Sequence, residues 1–201
     1  MFLYGLTGNL GAGKSTVGGM FRELGFPVVD ADVIGHRLLQ RPGPVQQQVT
    51  QFFPACREET GQLSRARLAE EVFASESRRR QLEQILHPAI WVEVQRQLDA
   101  VPAAIGLVEA AVLLESQVQE WKRLAGLVLV VAPRRLRRQR ALTRGGVSTV
   151  QLEQRLEVQM KQSTKLLAAD FLIDNSGTLP ATRRQVDGVA KLMLWESGGL
   201  S

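Results

Sequence analysis

With 201 residues, 44% of them hydrophobic and 22% charged, the chain has the size and balance of one well-packed domain with room for a small insertion. That excludes a disordered polymer and a bundle of membrane spans. Its single cysteine, Cys56, rules out an internal disulfide and a thiolate metal cluster and reads as a structural bystander. Twenty-five Lys and Arg against 20 Asp and Glu give a formal charge of +5, which favours anionic partners. Aromatic residues make up only 5% and do not alternate with basic ones, which argues against nucleic acid as the partner.

The N-terminal run Phe2–Thr7 predicts a buried strand, and it leads straight into Gly8-Asn9-Leu10-Gly11-Ala12-Gly13-Lys14-Ser15, which fits G-x-x-x-x-G-K-[ST]. The pattern specifies a phosphate-binding loop because each residue type has a task. The backbone N–H groups of Gly11, Ala12 and Gly13 close round phosphate oxygens, Lys14 reaches the β/γ-phosphates of ATP, and the Ser15 hydroxyl is offered to Mg²⁺. Ser15 and Thr16 lie at the start of a helix predicted over Lys14–Leu24, whose unpaired amides point at the bound anion.

A second strand begins at Pro27–Val29 and runs into Asp30-Ala31-Asp32. In an open parallel sheet the carboxyl ends of the strands share one crevice, so both acids are candidates for the γ-phosphate side. Asp30 reads equally as an N-cap for the helix predicted over Asp32–Gln40. Asp32 is the better candidate to accept a proton from an attacking hydroxyl or to hold Mg²⁺ through water. From Gln46 to Leu98 the spacing is helical with little β-branched alternation, predicting an all-helical excursion from the sheet. Within it, Pro88 predicts a helix start after His87, and His87 is open between a local hydrogen-bonding role and substrate contact.

Ile105–Glu109 and Leu127–Val131 predict the third and fourth strands, with Glu109 either a second acid near the metal's water shell or a partner in a structural salt bridge. The helix predicted over Arg134–Thr143 is strongly basic and puts Arg137, Arg140 and Arg144 on one face. Followed by Gly145-Gly146, it reads as a lid that closes over ATP and excludes water. A helix over Val150–Lys165, a strand over Phe171–Ile173, a turn at Asn175-Ser176-Gly177 and a helix over Pro180–Trp195 complete the chain, with Trp91, Trp121 and Trp195 as packing residues. The β-α alternation predicts an α/β doubly wound fold of three layers around a parallel five-stranded sheet. No apolar run reaches membrane-spanning length, and the N-terminal run carries no charged leader or cleavage site, so a cytoplasmic protein is expected.

Together these features resemble the dephospho-CoA kinase family. The resemblance rests on Gly5-Leu6-Thr7-Gly8 and the loop, Val29-Asp30-Ala31-Asp32, Leu63-Ser64-Arg65 with Leu68 and Phe73, Leu82-Glu83 with His87-Pro88, Arg140 and Arg144, Arg155 with Gln159, Lys165, Ala169-Asp170 and Asp174-Asn175. It implies a P-loop fold with a nucleotide-binding core over 1–45, 100–135 and 166–201, a helical CoA-binding domain over 46–99 and a lid over 136–165. It further implies ATP and Mg²⁺ as cofactors and dephospho-CoA as acceptor. No nucleic acid or membrane partner is expected, and the oligomeric state stays open with a monomer favoured. Asp32 would be the base, Lys14, Arg140 and Arg144 would stabilise the phosphates, Arg65 and His87 would serve the substrate side, and Asn175 would lie near the nucleotide's base. The chain departs from the family pattern at Ala111-Val112-Leu113-Leu114 before Glu115, at Pro54 after Phe53, and at Gly145. Another small-molecule P-loop kinase, such as one acting on a nucleoside monophosphate, is the nearest alternative. A nucleotide-dependent protein whose arginine helix contacts nucleic acid is the more distant one.

Overall fold

Five short apolar runs form one parallel sheet: β1 (Phe2–Thr7), β2 (Val28–Asp30), β3 (Ile105–Glu109), β4 (Gly126–Val131) and β5 (Phe171–Asp174), in the spatial order β2-β3-β1-β4-β5. β3 and β4 are buried at every position, as strands covered on both faces must be, which is why they read as unbroken apolar runs and not as alternation. β2 ends at Asp30, at the strand end expected from the sequence, and pairs Asp30 with Glu109. The computed structural model describes residues 1–115, 123–143, 156 and 159–198. They group into two compact units, Met1–Asp30 with Ala100–Ser201, and Ala31–Asp99.

In the first unit, α1 (Lys14–Glu23) and α8 (Leu179–Glu196) cover one face of the sheet. Tyr4 and Leu6 of β1, Leu107 of β3, Val128 and Val130 of β4 and Ile173 of β5 project to that side, two residues apart along each strand, and meet Val17 and Phe21 of α1 and Val186, Val189 and Met193 of α8. Burial of each such side chain contributes roughly 1.5–3 kcal/mol. Phe21 and Phe26 pack edge-on with ring centroids 5.9 Å apart. The opposite face of β1 is so close to its cover that a Cβ on Gly5 would lie 2.7 Å from Leu113 and 2.9 Å from Leu124. The same unit holds α6 (Arg134–Thr143) and α7 (Gln162–Leu167).

Two predicted features differ here. Of the helix predicted over Val150–Lys165, the described residues 159–161 are not helical and α7 begins only at Gln162. Trp195 is 69% exposed, so it is not a packing residue, while Trp91 is half-buried and Trp121 lies outside the described residues.

The second unit is helical: α2 (Ala31–Gln40), α3 (Pro44–Phe52), a short 3₁₀ turn Pro54–Cys56, α4 (Arg65–Ala74) and α5 (Glu76–Asp99). α2, placed with the core in the sequence reading, packs on α5 so closely that a Cβ on Gly35 would lie 3.0 Å from Ile90. Val49, Phe53, Cys56, Leu63, Leu68 and Ile85 form this unit's core. Arg78 closes it, lying 4.2 Å from the Phe53 ring centroid and pairing with Glu71. Cys56 donates to the same Glu71 at 3.1 Å, and burial, helped by that carboxylate, pushes its thiol up to about 11.

α5 runs unbroken through Pro88, which therefore does not start a helix. Proline there removes the hydrogen bond to the Gln84 carbonyl, at a residue that is itself exposed. Ile85, Val94 and Leu98 stay buried and hold both sides of the proline in one helix.

Candidate active site

Parallel strands end on one edge of the sheet, and here that edge collects the loop after β1, Asp30, Glu109, the start of α6 and Asn175. The loop backbone shows why its glycines are needed. Gly11 and Gly13 are left-handed, with φ of 78° and 96°, a region L side chains rarely enter. A Cβ on Gly11 would lie 2.2 Å from the Arg137 carbonyl oxygen, and one on Gly13 would lie 2.0 Å from Asn175 Nδ2. α1 then starts at Lys14 with no acidic residue in its first turn and no side chain capping its amides. Both the N–H groups and the helix dipole are left for an anion. Ala12 is buried within the loop, and Lys14 folds over it, its Nζ donating to the Gly8 carbonyl at 3.1 Å.

Ser15 donates its hydroxyl proton to Glu109 Oε1 at 3.0 Å. Glu109 is 3% exposed and its Oε2 is buried without a hydrogen-bond partner. Burial first, and the Asp30 charge second, push its carboxyl above the usual range, against the pull of Ser15 and Lys14. A cleft of about 400 Å³ opens at the loop, lined by Gly11, Gly13, Thr16, Arg140, Asn175 and Leu179 among others. Arg140 anchors one guanidinium nitrogen, Nη2, on the Asn175 carbonyl at 2.9 Å and leaves the buried Nη1 without a partner. Arg137 does likewise, with Nε on the Ala132 carbonyl at 3.1 Å and Nη1 buried and unpartnered. Asn175 lines the cleft, but its amide is engaged within the protein, Nδ2 donating to the Ala12 carbonyl and Oδ1 accepting from Thr182. Arg144, Gly145, Gly146 and Arg155 lie outside the described residues.

In the helical unit, Asp32 is exposed in the first turn of α2. Arg65, the first residue of α4, meets His36 Nδ1 through Nη2 at 2.8 Å. His87 is half-buried on α5. A second cleft of about 540 Å³, which no sequence motif announced, is lined by Arg37, Arg41, Arg96, Glu93 and Gln97 with Ile34 and Leu38. Hydrogen bonds from Arg96 and then Gln97 pull the Glu93 carboxyl down to about 2.

A family model described as dephospho-CoA kinase matches residues 2–181, which is most of the chain and includes every residue of the loop and cleft. The chain belongs to the dephospho-CoA kinase family. A dephospho-CoA kinase of Aquifex aeolicus is 38% identical, over 92% of this chain and 94% of its own length. Among solved structures, a Thermus thermophilus protein superposes with a TM-score of 0.82 at 30% identity, covering 97% of both chains. Dephospho-CoA kinase from Campylobacter jejuni superposes with a TM-score of 0.65 at 26% identity, over 95% of this chain and 96% of that one.

Within this chain, the loop is also held by residues outside its motif. Asn9 Nδ2 donates to the Met160 carbonyl at 3.0 Å, and the Leu10 amide donates to Gln159 Oε1 at 2.8 Å. The Met160 amide in turn donates to Glu115 Oε1 at 3.0 Å, and the same oxygen lies 2.8 Å from Lys165 Nζ, whose side chain is 0% exposed. Lys165 also donates to the Ala111 carbonyl at 3.0 Å, so the turn that departs from the family pattern still supplies both an acceptor and the acid. Gln159, Lys165 and Glu115 were visible in sequence only as points of likeness or departure. A buried lysine that must find a carboxylate is the signal that would have joined them.

Proposed function

We propose that the chain transfers the γ-phosphoryl group of Mg·ATP to the 3′-hydroxyl of dephospho-CoA, giving CoA and ADP. The observation that carries this reading is Arg140 Nη1, buried and unpartnered in a cleft it shares with the left-handed Gly13. A buried guanidinium nitrogen without an acceptor is costly until an anion arrives, and Gly13 and Thr16, at the start of α1, line the same cleft. Lys14, Arg140 and, by resemblance, Arg144 would then neutralise the charge that builds on the transferring group, which is most of what catalysis of phosphoryl transfer requires.

Mg²⁺ keeps several waters and takes few protein ligands, and the residues present fit it in that form. Among the described residues no cluster of three His, Cys, Asp or Glu could hold a metal. Ser15 gives its proton to Glu109, which leaves the hydroxyl lone pairs free as a hard oxygen ligand, and Glu109 Oε2 is a buried acceptor for a metal-bound water. When bound, the ion screens the β- and γ-phosphates.

Asp32 follows β2 by two residues and is the proposed base. It accepts the proton of the attacking hydroxyl as the O3′–P bond forms and the bond from the γ-phosphorus to the bridging oxygen breaks, leaving ADP. Arg65, with His36 beside it, and His87 serve the acceptor. The chain acts in the cytoplasm on a small molecule, without nucleic acid or membrane, and a monomer is the favoured state. Among the described residues no helix is long and apolar enough to cross a membrane.

Asp32→Asn tests the role of the base. It should lower kcat by about 10²–10⁴-fold and leave the ATP dissociation constant within about threefold. Turnover at the parent rate in that variant would refute it.

A further inference from the structure

We propose that Thr182 is a positioning residue for the nucleotide, acting through Asn175. The proposal rests on the reading that a nucleotide occupies the loop. Asn175 stands one residue past β5, and each of its polar groups is committed: N–H to the Val131 carbonyl at 2.9 Å, C=O to Arg140 Nη2 at 2.9 Å, Nδ2 to the Ala12 carbonyl at 2.8 Å, and Oδ1 to the Thr182 hydroxyl at 3.0 Å. One residue thereby fastens the phosphate loop to the arginine that lines the cleft. Asn175 is 4% exposed and Thr182 is 0% exposed.

The amide has two unlike ends, and its direction decides whether the fastening works. The Ala12 carbonyl can only accept, so the NH₂ must face the loop and Oδ1 must face α8. Thr182, in the first turn of that helix, is the donor that meets it. Its alternative acceptor, the Thr178 carbonyl, is further away at 3.4 Å. Without the hydroxyl, Oδ1 is a buried acceptor with no donor, a state costly enough to loosen or turn the amide. A turned amide would set oxygen against the Ala12 oxygen. It would also disturb the packing of Asn175 on Gly13, which is so tight that a Cβ on Gly13 would lie 2.0 Å from Nδ2. The cradle of Ala12 and Gly13 and the anchor of Arg140 would shift together, and the acceptor side would not.

Thr182→Val keeps the shape and removes the hydroxyl, and Thr182→Ser keeps the hydroxyl and removes a methyl. With Mg·ATP varied, Thr182→Val should lose roughly tenfold in kcat/KM for ATP. Its KM for dephospho-CoA should stay at the parent value, and Thr182→Ser should restore kcat/KM for ATP to within about threefold. The same order should appear in ATP dissociation constants by calorimetry. Parent-like ATP kinetics in Thr182→Val, or equal impairment in both variants, would overturn the positioning role. Should the valine variant not fold, Thr182→Ala against Thr182→Ser makes the same comparison. Failure of the unmodified chain to bind ATP would instead overturn the nucleotide reading on which the proposal rests.

Discussion

Glu109 is placed where a carboxylate is costly. Its Oε1 is occupied by Ser15, its Oε2 has no partner, and burial together with Asp30 raises its affinity for a proton in the folded state. A carboxyl whose folded pKa is raised favours the native state below its ordinary pKa, and loses that advantage as pH rises through the folded value. Above its ordinary pKa the cost of carrying charge in this place therefore weighs against folding. Glu109→Gln retains an acceptor for Ser15 and removes the charge, so it should melt above the parent at pH 7, with the gap closing near pH 4. A variant that melts at or below the parent at pH 7, or whose gap is the same at both pH values, would contradict the account. The legible and illegible residues divide along the same physical line. Gly11, Gly13, Lys14 and Ser15 were readable because a backbone needing positive φ and a phosphate needing a cation restrict the residue types. Thr182 was not, since a buried hydroxyl in a helix gives no pattern, and its task appears only once Asn175 is seen across from it.

At the scale of elements, the strands were the most legible part, because burial on both faces makes β3 and β4 unbroken apolar runs. Helix positions held where amphipathic spacing was carried by packing, and failed where tertiary bonds took the backbone. Residues 159 and 160 lie in a stretch with helical periodicity, but Gln159 and Met160 spend their hydrogen bonds on Leu10, Asn9 and Glu115. α5 shows the opposite case, in which core contacts on both sides override a proline. The Glu115–Lys165 pair joins α7 to the outer side of the loop, and removing one partner of a buried pair leaves an uncompensated charge. Lys165→Met should cost about 3–5 kcal/mol in urea unfolding, and adding Glu115→Leu should return part of it. A single-variant loss below about 1 kcal/mol would show that the pair does not hold this segment.

At the scale of the whole molecule, the helical unit begins at Ala31 and ends at Asp99, so it is inserted between β2 and β3, which are neighbours in the sheet. Sequence composition does not change at residue 31, and an amphipathic helix after a strand looks like any crossover. The core expected over residues 1–45 therefore ends earlier, at Asp30. The insertion starts directly from a strand end whose last residue, Asp30, is paired with Glu109. In the proposed function Asp32 serves the acceptor, while the loop serves ATP. The most direct measurement is to incubate the unmodified chain with Mg·ATP and dephospho-CoA and identify the product by mass and phosphorus NMR. The account predicts CoA carrying its new phosphate on the 3′-oxygen, one per ADP formed. ADP released without a phosphorylated acceptor, or turnover of a nucleoside monophosphate in place of dephospho-CoA, would contradict it.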